Sequence, residues 1–309
     1  MGCANRATKG RSRNNHPVSP MRRLLPLFVA ASWPVAVQAA DVLQPVSKWQ
    51  VHYGDKKCIA GRIFGEGKDA TTLIFEQYAP SDSFRLNLIG RRFKGWNELQ
   101  ISKIRFGPDQ AWQDFDIFNG NYGEDMPAVF GRSSVRIVPW TPEQLEAWRK
   151  NEVSEMPATT DAEKASVRTI DIRRGGKDLQ LVTGPLDRVS AEMDKCLGAI
   201  VKSWGFDPAV LNGLQSWPKP LTPPAKWIVS NDYPPSALFR GQRALISVRL
   251  NIDASGAVTA CEILQSTRPK EFEDAVCRAL QKRARFDPAI AADGRPVAAY
   301  WNRNVVFQI

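Results

Sequence analysis

Residues 233–309 constrain the fold most, because their hydrophobic positions follow a clear period that changes along the segment. Apolar and polar residues alternate over residues 244–252, which is typical of a strand with one buried face. The run Asp253-Ala254-Ser255-Gly256 supplies turn residues, and residues 258–266 resume the composition of a strand. The two runs therefore predict an antiparallel hairpin.

The period changes to that of a helix over residues 271–283 and back to that of a strand over residues 297–309. The apolar arc of the predicted helix consists of Phe272, Val276, Ala279 and Leu280. The apolar side of the predicted last strand consists of Trp301, Val305, Phe307 and Ile309. The predicted order is strand, strand, helix, strand, which is an α+β fold.

At these residues the sequence resembles the C-terminal domain of the TonB energy-transducer family. The matching motifs are Tyr233-Pro234, Gly241, the turn 253–256, Ser266-Thr267, Phe272-Glu273, Arg-Phe-Asp-Pro-Ala at 285–289 and Gly-Arg-Pro-Val at 294–297. Ala244 and Arg268 stand where the family usually has glycine, and neither change removes a strand or the helix. The resemblance is confined to residues 233–309.

The resemblance implies a non-enzymatic binding module in the periplasm, without a cofactor, whose partner is an outer-membrane TonB-dependent receptor. It implies that an extended receptor segment adds to the edge of the last strand, main chain to main chain. The candidate binding residues on that strand are Tyr300, Asn302, Arg303, Asn304, Val306 and Gln308. By alternation, we expect Tyr300, Asn302, Asn304 and Gln308 to face outward.

The rest of the chain predicts a signal segment (residues 1–40), a mostly β domain of unknown type (residues 41–212) and a proline-rich linker (residues 213–226) before the C-terminal domain (residues 227–309). Eight linker residues, 217–224, favour polyproline II and would span about 25 Å. In the first domain, short alternating or apolar runs predict strands at residues 49–53, 71–77, 84–89, 98–106 and 134–138. Helices are predicted at residues 141–153 and 186–204, and a hairpin at residues 167–182.

Charge does not indicate a nucleic-acid partner, although the formal net charge is +10. Six positive charges lie before Leu24, where there are no acidic residues, so ten minus six leaves +4 for residues 41–309. A small excess of positive charge spread over this many residues is not typical of a nucleic-acid-binding surface.

Candidate residues for catalysis or metal binding are few, and we expect no enzyme, no cofactor and no metal site. His52 is the only histidine after the signal, and no nucleophile or carboxylate motif accompanies it. The acidic residues at 114–116 and 124–125 lack the spacing of a calcium loop. Nine tryptophans follow residue 40 and favour core packing over a binding surface. The alternative function is a secreted envelope-binding or scaffold protein that uses this tryptophan-rich first domain.

Four cysteines follow the signal segment, an even number with three possible pairings. Cys261 lies on the side of its strand that should face the helix, and Cys277 flanks the apolar arc of that helix. This placement predicts Cys261–Cys277, which leaves Cys58 to pair with Cys196 and join the start of the first domain to its last helix.

The N-terminal segment has the pattern of a secretory signal. Arg22-Arg23 precedes an apolar run over residues 24–37, and Val37-Gln38-Ala39 is a small-residue cleavage site. The alternative is an uncleaved inner-membrane anchor facing the periplasm, which would imply an inner-membrane partner complex. Fourteen helical residues span only about 21 Å against a hydrocarbon core of roughly 30 Å. We therefore favour cleavage after Ala39 and a periplasmic location.

We expect the exported protein to begin at Ala40, because cleavage after Ala39 fits the small residues at 37 and 39. N-terminal sequencing and intact mass of protein from a periplasmic extract measure this directly. A membrane-bound species that retains residues 24–37 would support the anchor instead.

Overall fold

The computed structural model describes residues 40–97, 99–149, 157–176, 178–266 and 270–307. The predicted cleavage site at Ala39 and the candidate residue Gln308 lie outside these ranges. Ala39–Ile309 forms one compact unit, so the two predicted domains are described together. The boundaries between them stay a prediction. Within the described residues, no helix has the length and apolar composition to cross a bilayer.

The first part of the chain is mostly β. Its strands are β1 (Asp41–Leu43), β2 (Gln50–Tyr53), β3 (Cys58–Phe64), β4 (Thr71–Gln77), β5 (Ser83–Ile89), β6 (Lys103–Arg105), β7 (Gln113–Asp114), β8 (Ile117–Tyr122), β9 (Met126–Gly131), β10 (Val135–Arg136), β11 (Ile170–Arg173) and β12 (Leu179–Leu181). Its helices are α1 (Pro142–Arg149), α2 (Asp161–Ser166), α3 (Asp187–Ser203) and α4 (Pro208–Asn212). The predicted β-rich composition of this part is confirmed.

Two sheets and helix α3 enclose the first core. One sheet has the order β2-β3-β4-β5-β9-β8, with β10 paired to β5, and the other has the order β1-β12-β11-β6-β7. Apolar side chains from both sheets meet Met193 and Leu197 of α3 between them. The apolar face predicted for the helix at residues 186–204 therefore packs against the sheets.

Several elements of this part escape the sequence patterns. Strand β3 and the β8–β9 hairpin were not predicted, because Gly61 interrupts the first and Gly120 and Pro127 give the hairpin the composition of a loop. Helix α2 lies in a segment predicted to be a polar connection. It begins with a capping box, in which the Glu163 amide donates to Thr160 Oγ1 at 3.2 Å and the Thr160 amide donates to Glu163 Oε2 at 2.7 Å.

The C-terminal part has the predicted strand, strand, helix, strand order. Its strands are β13 (Lys219–Pro220), β14 (Ala244–Ile252), β15 (Val258–Ser266), β16 (Phe286–Asp287), β17 (Ala289–Ile290), β18 (Pro296–Val297) and β19 (Ala299–Phe307), and its helices are α5 (Pro235–Phe239) and α6 (Lys270–Arg283). The main sheet is antiparallel with the order β15-β14-β19. Helix α6 packs Phe272, Val276 and Leu280 against one face of this sheet.

The family motifs meet one another in this fold. Gly256 has φ +84°, and a Cβ there would lie 1.9 Å from the Phe286 carbonyl oxygen, so only glycine fits this turn. The Tyr233 ring packs on Phe272 and Phe307 at 5.6 and 5.2 Å, and its hydroxyl donates to the Gln242 carbonyl. The separate sequence motifs therefore specify one turn and one aromatic cluster.

The proline-rich segment lies against the C-terminal part. Strand β13 pairs with β16, and the Gln215 amide donates to the Ile290 carbonyl at 2.7 Å. The Trp227 indole is 1% exposed and packs on Phe286 and Trp301. The sequence pattern suggested an extended spacer, but the backbone of residues 215–220 forms hydrogen bonds with the segment that follows α6.

Both disulfides that the sequence predicts are present. Cys58–Cys196 joins β3 to α3 with a Cα–Cα distance of 6.1 Å, and Cys261–Cys277 joins β15 to α6 with a Cα–Cα distance of 5.5 Å. Their sequence separations are 138 and 16 residues. The longer loop leaves more conformations to the unfolded chain, so its closure stabilises more.

Removal of the two disulfides should therefore have unequal effects. On the chain-entropy model, the C58A/C196A variant should lose about 5 kcal/mol and the C261A/C277A variant about 3 kcal/mol of unfolding free energy. Urea unfolding of both double variants and the wild type, without reductant, measures the difference. An equal or larger loss for C261A/C277A would contradict this account.

Candidate functional site

Strand β19 presents an unpaired backbone edge. It pairs with β14 on one side, and no strand among the described residues pairs with its other side. The Asp253 amide donates to the Ala257 carbonyl, so odd-numbered residues of β14 direct their backbone groups toward β15. The backbone groups of even-numbered residues of β14 then point toward β19. Their partners on β19 are odd-numbered, and the backbone groups of these residues point toward β14. The backbone groups of Tyr300, Asn302, Asn304 and Val306 consequently point to the free edge.

The other outer strand of the sheet, β15, is a poorer receiving edge. Its pairing with β14 shifts register at two points, between Ser247 and Val248 and between Asn251 and Ile252. Such bulges twist an edge and interrupt its regular hydrogen-bonding pattern. In addition, Lys56 Nζ donates to the Ile263 carbonyl at 3.3 Å. By contrast, β19 pairs with β14 without a shift over nine residues.

The two faces of β19 have different surroundings. Trp301, Val305 and Phe307 pack into the core beneath α6, as the sequence predicts. The opposite face carries Tyr300, Asn302, Asn304 and Val306, and the first part of the chain covers its beginning. This face is therefore not uniformly open.

Tyr300 is buried, with 5% of its surface exposed, and this corrects the expectation that its side chain faces solvent. Its ring packs on Trp204 at 5.2 Å, on Phe206 at 5.7 Å and on Trp217 at 5.4 Å. Burial raises the pKa of the Tyr300 hydroxyl, which stays protonated at neutral pH. The alternation assigns Tyr300 to the correct face of the strand, but it does not show that other residues bury this face. The aromatic partners of Tyr300 lie far away in the sequence.

Arg249 on the central strand completes this aromatic cluster. Its guanidinium lies 4.1 Å from the centre of the Trp204 ring, and its Nε donates to Asn251 Oδ1 at 3.0 Å. The residue is 6% exposed, and burial lowers the pKa of its guanidinium. A cation stacked on an aromatic face keeps favourable electrostatics when water is excluded. We call Trp204, Phe206, Trp217, Arg249 and Tyr300 the joint cluster.

The remaining candidate residues continue along β19 beyond the joint cluster. Asn302 is half-buried, whereas Arg303, Asn304 and Val306 are exposed. Ser247 Oγ donates to Asn304 Oδ1 at 2.6 Å, across a directly opposed pair of β14 and β19. Strand alternation places Arg303 on the α6 face, apart from the other three. The accessible stretch of the edge is therefore Asn302 to Val306.

A cleft of about 610 Å³ lies beside this stretch. One wall is the β4–β5 hairpin, including Tyr78 and Arg85, and the other is the sheet surface formed by Ser247, Asn302 and Asn304. Arg85 Nη1 donates to Gln265 Oε1 across the cleft boundary. We call this space the hairpin cleft. It was not foreseen, because no local pattern indicates that the hairpin approaches β19.

The other candidates from the sequence do not gather into a site. His52 lies exposed on β2, and Asp114 forms an ion pair with Lys103 at 2.8 Å. In the part of the chain that the structure describes, no group of three or more histidine, cysteine or acidic side chains could hold a metal ion. Tryptophans contribute mainly to packing: Trp96 and Trp227 are buried, and Trp112 lies between the guanidinium groups of Arg105 and Arg173 at 4.6 and 4.4 Å.

The geometry defines a small α+β domain that combines one covered sheet face, one helix-packed face and one regular open edge. Residues 229–309 match the family model of the Gram-negative bacterial TonB protein C-terminal. The C-terminal part of this chain is a TonB C-terminal domain, as the sequence motifs indicate. No curated protein matches the chain.

Replacement of Tyr300 tests the joint cluster. Tyr300→Ala should lower the free energy of unfolding by about 3 kcal/mol, because it leaves a cavity among three aromatic rings. Val306→Ala on the same face, where the side chain is 54% exposed, should change it by less than about 0.5 kcal/mol. Urea unfolding of the two variants measures the contrast, and equal small losses would show that the first part of the chain does not cover Tyr300.

Proposed function

We propose that this protein acts in the periplasm and binds an extended segment of an outer-membrane receptor by strand addition at the free edge of β19. The observation that carries the proposal is the regular, unpaired edge whose accessible backbone groups belong to Asn302, Asn304 and Val306. An added strand satisfies these groups with main-chain hydrogen bonds and needs little sequence complementarity. The family match supports a receptor as the partner.

The role that we propose is in transport across the outer membrane. This role is inferred from the TonB family, whose members couple receptor binding to an energised inner membrane. A pull on the receptor requires an anchored N-terminus, so a chain cleaved after Ala39 would bind receptors without transducing energy by itself. Binding at β19 is therefore the function that the described residues support best, and energy transduction depends on the fate of residues 1–39.

Proline substitutions along β19 test strand addition. Because the Asn304 amide points to the free edge, Asn304→Pro removes a donor for the partner without breaking the ladder with β14. We expect Asn304→Pro to remain folded and to lose at least about tenfold in affinity for the receptor segment. Asn304→Ala keeps the amide and should bind as the wild type does. Fluorescence anisotropy with synthetic peptides from the periplasmic N-terminal segments of outer-membrane receptors measures the affinities.

Arg303→Pro is the matched control, since the Arg303 amide faces β14. Its substitution should break the ladder and lower the midpoint of thermal unfolding, followed by circular dichroism, whereas Asn304→Pro should not. Wild-type affinity in Asn304→Pro would exclude β19 as the receiving edge. The envelope-binding or scaffold function of the first part would then be the better explanation.

A further inference from the structure

Strand β8 presents a second regular backbone edge, in a different sheet from β19. It ends the seven-stranded sheet, and among the ranges that the structure describes no strand pairs with its outer side. Its pairing with β9 runs without a shift from Ile117 to Tyr122. Proteins usually protect an edge with charged residues, proline or a bulge, and β8 has none of these. The strand is therefore open to pairing with another strand.

The outward backbone groups of β8 belong to its odd-numbered residues. The Arg132 amide donates to the Asp116 carbonyl at 2.7 Å, so by alternation the even-numbered residues of β8 bond to β9. Of the odd-numbered residues, Ile117 is buried, whereas Asn119 and Asn121 are exposed. The accessible outward groups are therefore the amides and carbonyls of these two asparagines.

The residue types of this stretch mirror one another about Gly120. Residues 118–122 read Phe-Asn-Gly-Asn-Tyr, with an aromatic residue at each end and an asparagine on each side of the glycine. A dimer with a two-fold axis needs a self-complementary surface, because residue i of one copy contacts residue j of the other and the reverse. An antiparallel pair about Gly120 sets aromatic against aromatic and asparagine against asparagine. A second copy of this chain therefore fits the stretch.

The side chains along β8 favour a neutral, partly aromatic contact. Tyr122 is 57% exposed, and Phe118 is half-buried on the same face. Residues 118–122 carry no charge, so pairing them with their own copy sets no like charges opposite each other. The acidic residues Asp116 and Glu124 lie outside this stretch, at the two ends of such a pair. Physiological salt, which screens them, favours the contact over dilute buffer.

We propose that β8 pairs antiparallel with β8 of a second copy of this chain, about a two-fold axis at Gly120. Asn119 of each copy lies opposite the partner's Asn121, and each of these pairs exchanges main-chain hydrogen bonds. Phe118 lies opposite the partner's Tyr122, close enough for the rings to contact. A strand pair of this length covers less surface than the interface of a permanent dimer, so association should depend on concentration. The pairing uses no residue of β19 and does not rest on the proposed function.

Sedimentation velocity of the exported chain at physiological salt, over a wide range of concentration, should show a monomer–dimer equilibrium. Asn119→Pro removes an outward amide from each copy, and the two-fold axis repeats the loss. The dimer should therefore weaken at least about tenfold, while the thermal midpoint of the dilute protein stays unchanged. Asn119→Ala keeps the amide and should associate as the wild type does. Asn304→Pro makes the same change on β19 and should also leave the dimer intact.

Asn119→Lys examines the same edge without altering the backbone. A lysine at an exposed edge position is one of the ways in which proteins prevent strand pairing, so this variant should fold as the wild type does and dimerise less.

Gly120→Cys reports the register of the pair. The four cysteines of residues 41–309 form disulfides, so the new thiol has its symmetric copy to react with. In the proposed pair the two residues at position 120 lie directly opposite each other, within the Cα–Cα range of a disulfide. A Cβ at this position meets only the Phe130 ring, at 3.3 Å. Mild oxidation in air should cross-link the variant into a dimer on non-reducing electrophoresis and leave the wild type uncross-linked.

A wild type that stays monomeric at every concentration would overturn the proposal. So would a dimer that survives both Asn119→Pro and Asn119→Lys, or one that Asn304→Pro dissociates, because the copies would then meet elsewhere. A dimer of Gly120→Cys that does not cross-link would overturn the two-fold axis at this residue. Receptor-peptide affinity should be the same in Asn119→Pro and the wild type, so failure of the dimer and failure of strand addition at β19 are distinguishable.

Discussion

The packing of Trp204 against Arg249 and Tyr300 is the constraint on which the arrangement of the C-terminal sheet depends. A three-stranded sheet with one helix has a second face, and water usually covers that face. Here the second face carries a buried guanidinium, stacked at 4.1 Å on the indole of Trp204, which follows α3. The stacking and the aromatic packing around Tyr300 compensate for the removal of a cation from water.

The joint cluster is one of several features that determine which parts of the sheet stay accessible. One face belongs to α6, the second is covered where the joint cluster lies, and the β15 edge is bulged and contacted by Lys56. The stretch from Asn302 to Val306 is left with regular backbone groups at an open edge. The hairpin cleft lies beside this stretch, and Ala79, between β4 and β5, belongs to the same buried cluster as Tyr300.

The sequence predicts the C-terminal fold well because the information there is local. Strands β14 and β15 have the predicted bounds, since strict alternation and the Asp253–Gly256 turn define them without help from the rest of the chain. The pairing of Cys261 with Cys277 follows from the same local geometry. Strand β3 was missed because its neighbours in the sheet, rather than its own composition, make it a strand.

The candidate site is only partly predictable, because it depends on contacts between residues that lie far apart in the sequence. Alternation places Tyr300, Asn302 and Asn304 on one face of β19, but it cannot show that Tyr300 meets Trp204 and Phe206, about a hundred residues earlier. Nor can it show that Tyr78 lies across a cleft from Asn302. Both facts arise from tertiary packing between the two parts of the chain, which the local sequence pattern does not encode.

Amide hydrogen exchange in the presence and absence of a captured receptor peptide tests the central claim most directly, because it reports backbone hydrogen bonds residue by residue. The account expects slower exchange at the amides of Asn302, Asn304 and Val306 when the peptide is bound. The amides of Arg303 and Val305, which face β14, should change much less. Protection that appears along β15 or within the first part of the chain, with none along β19, would contradict strand addition at this edge.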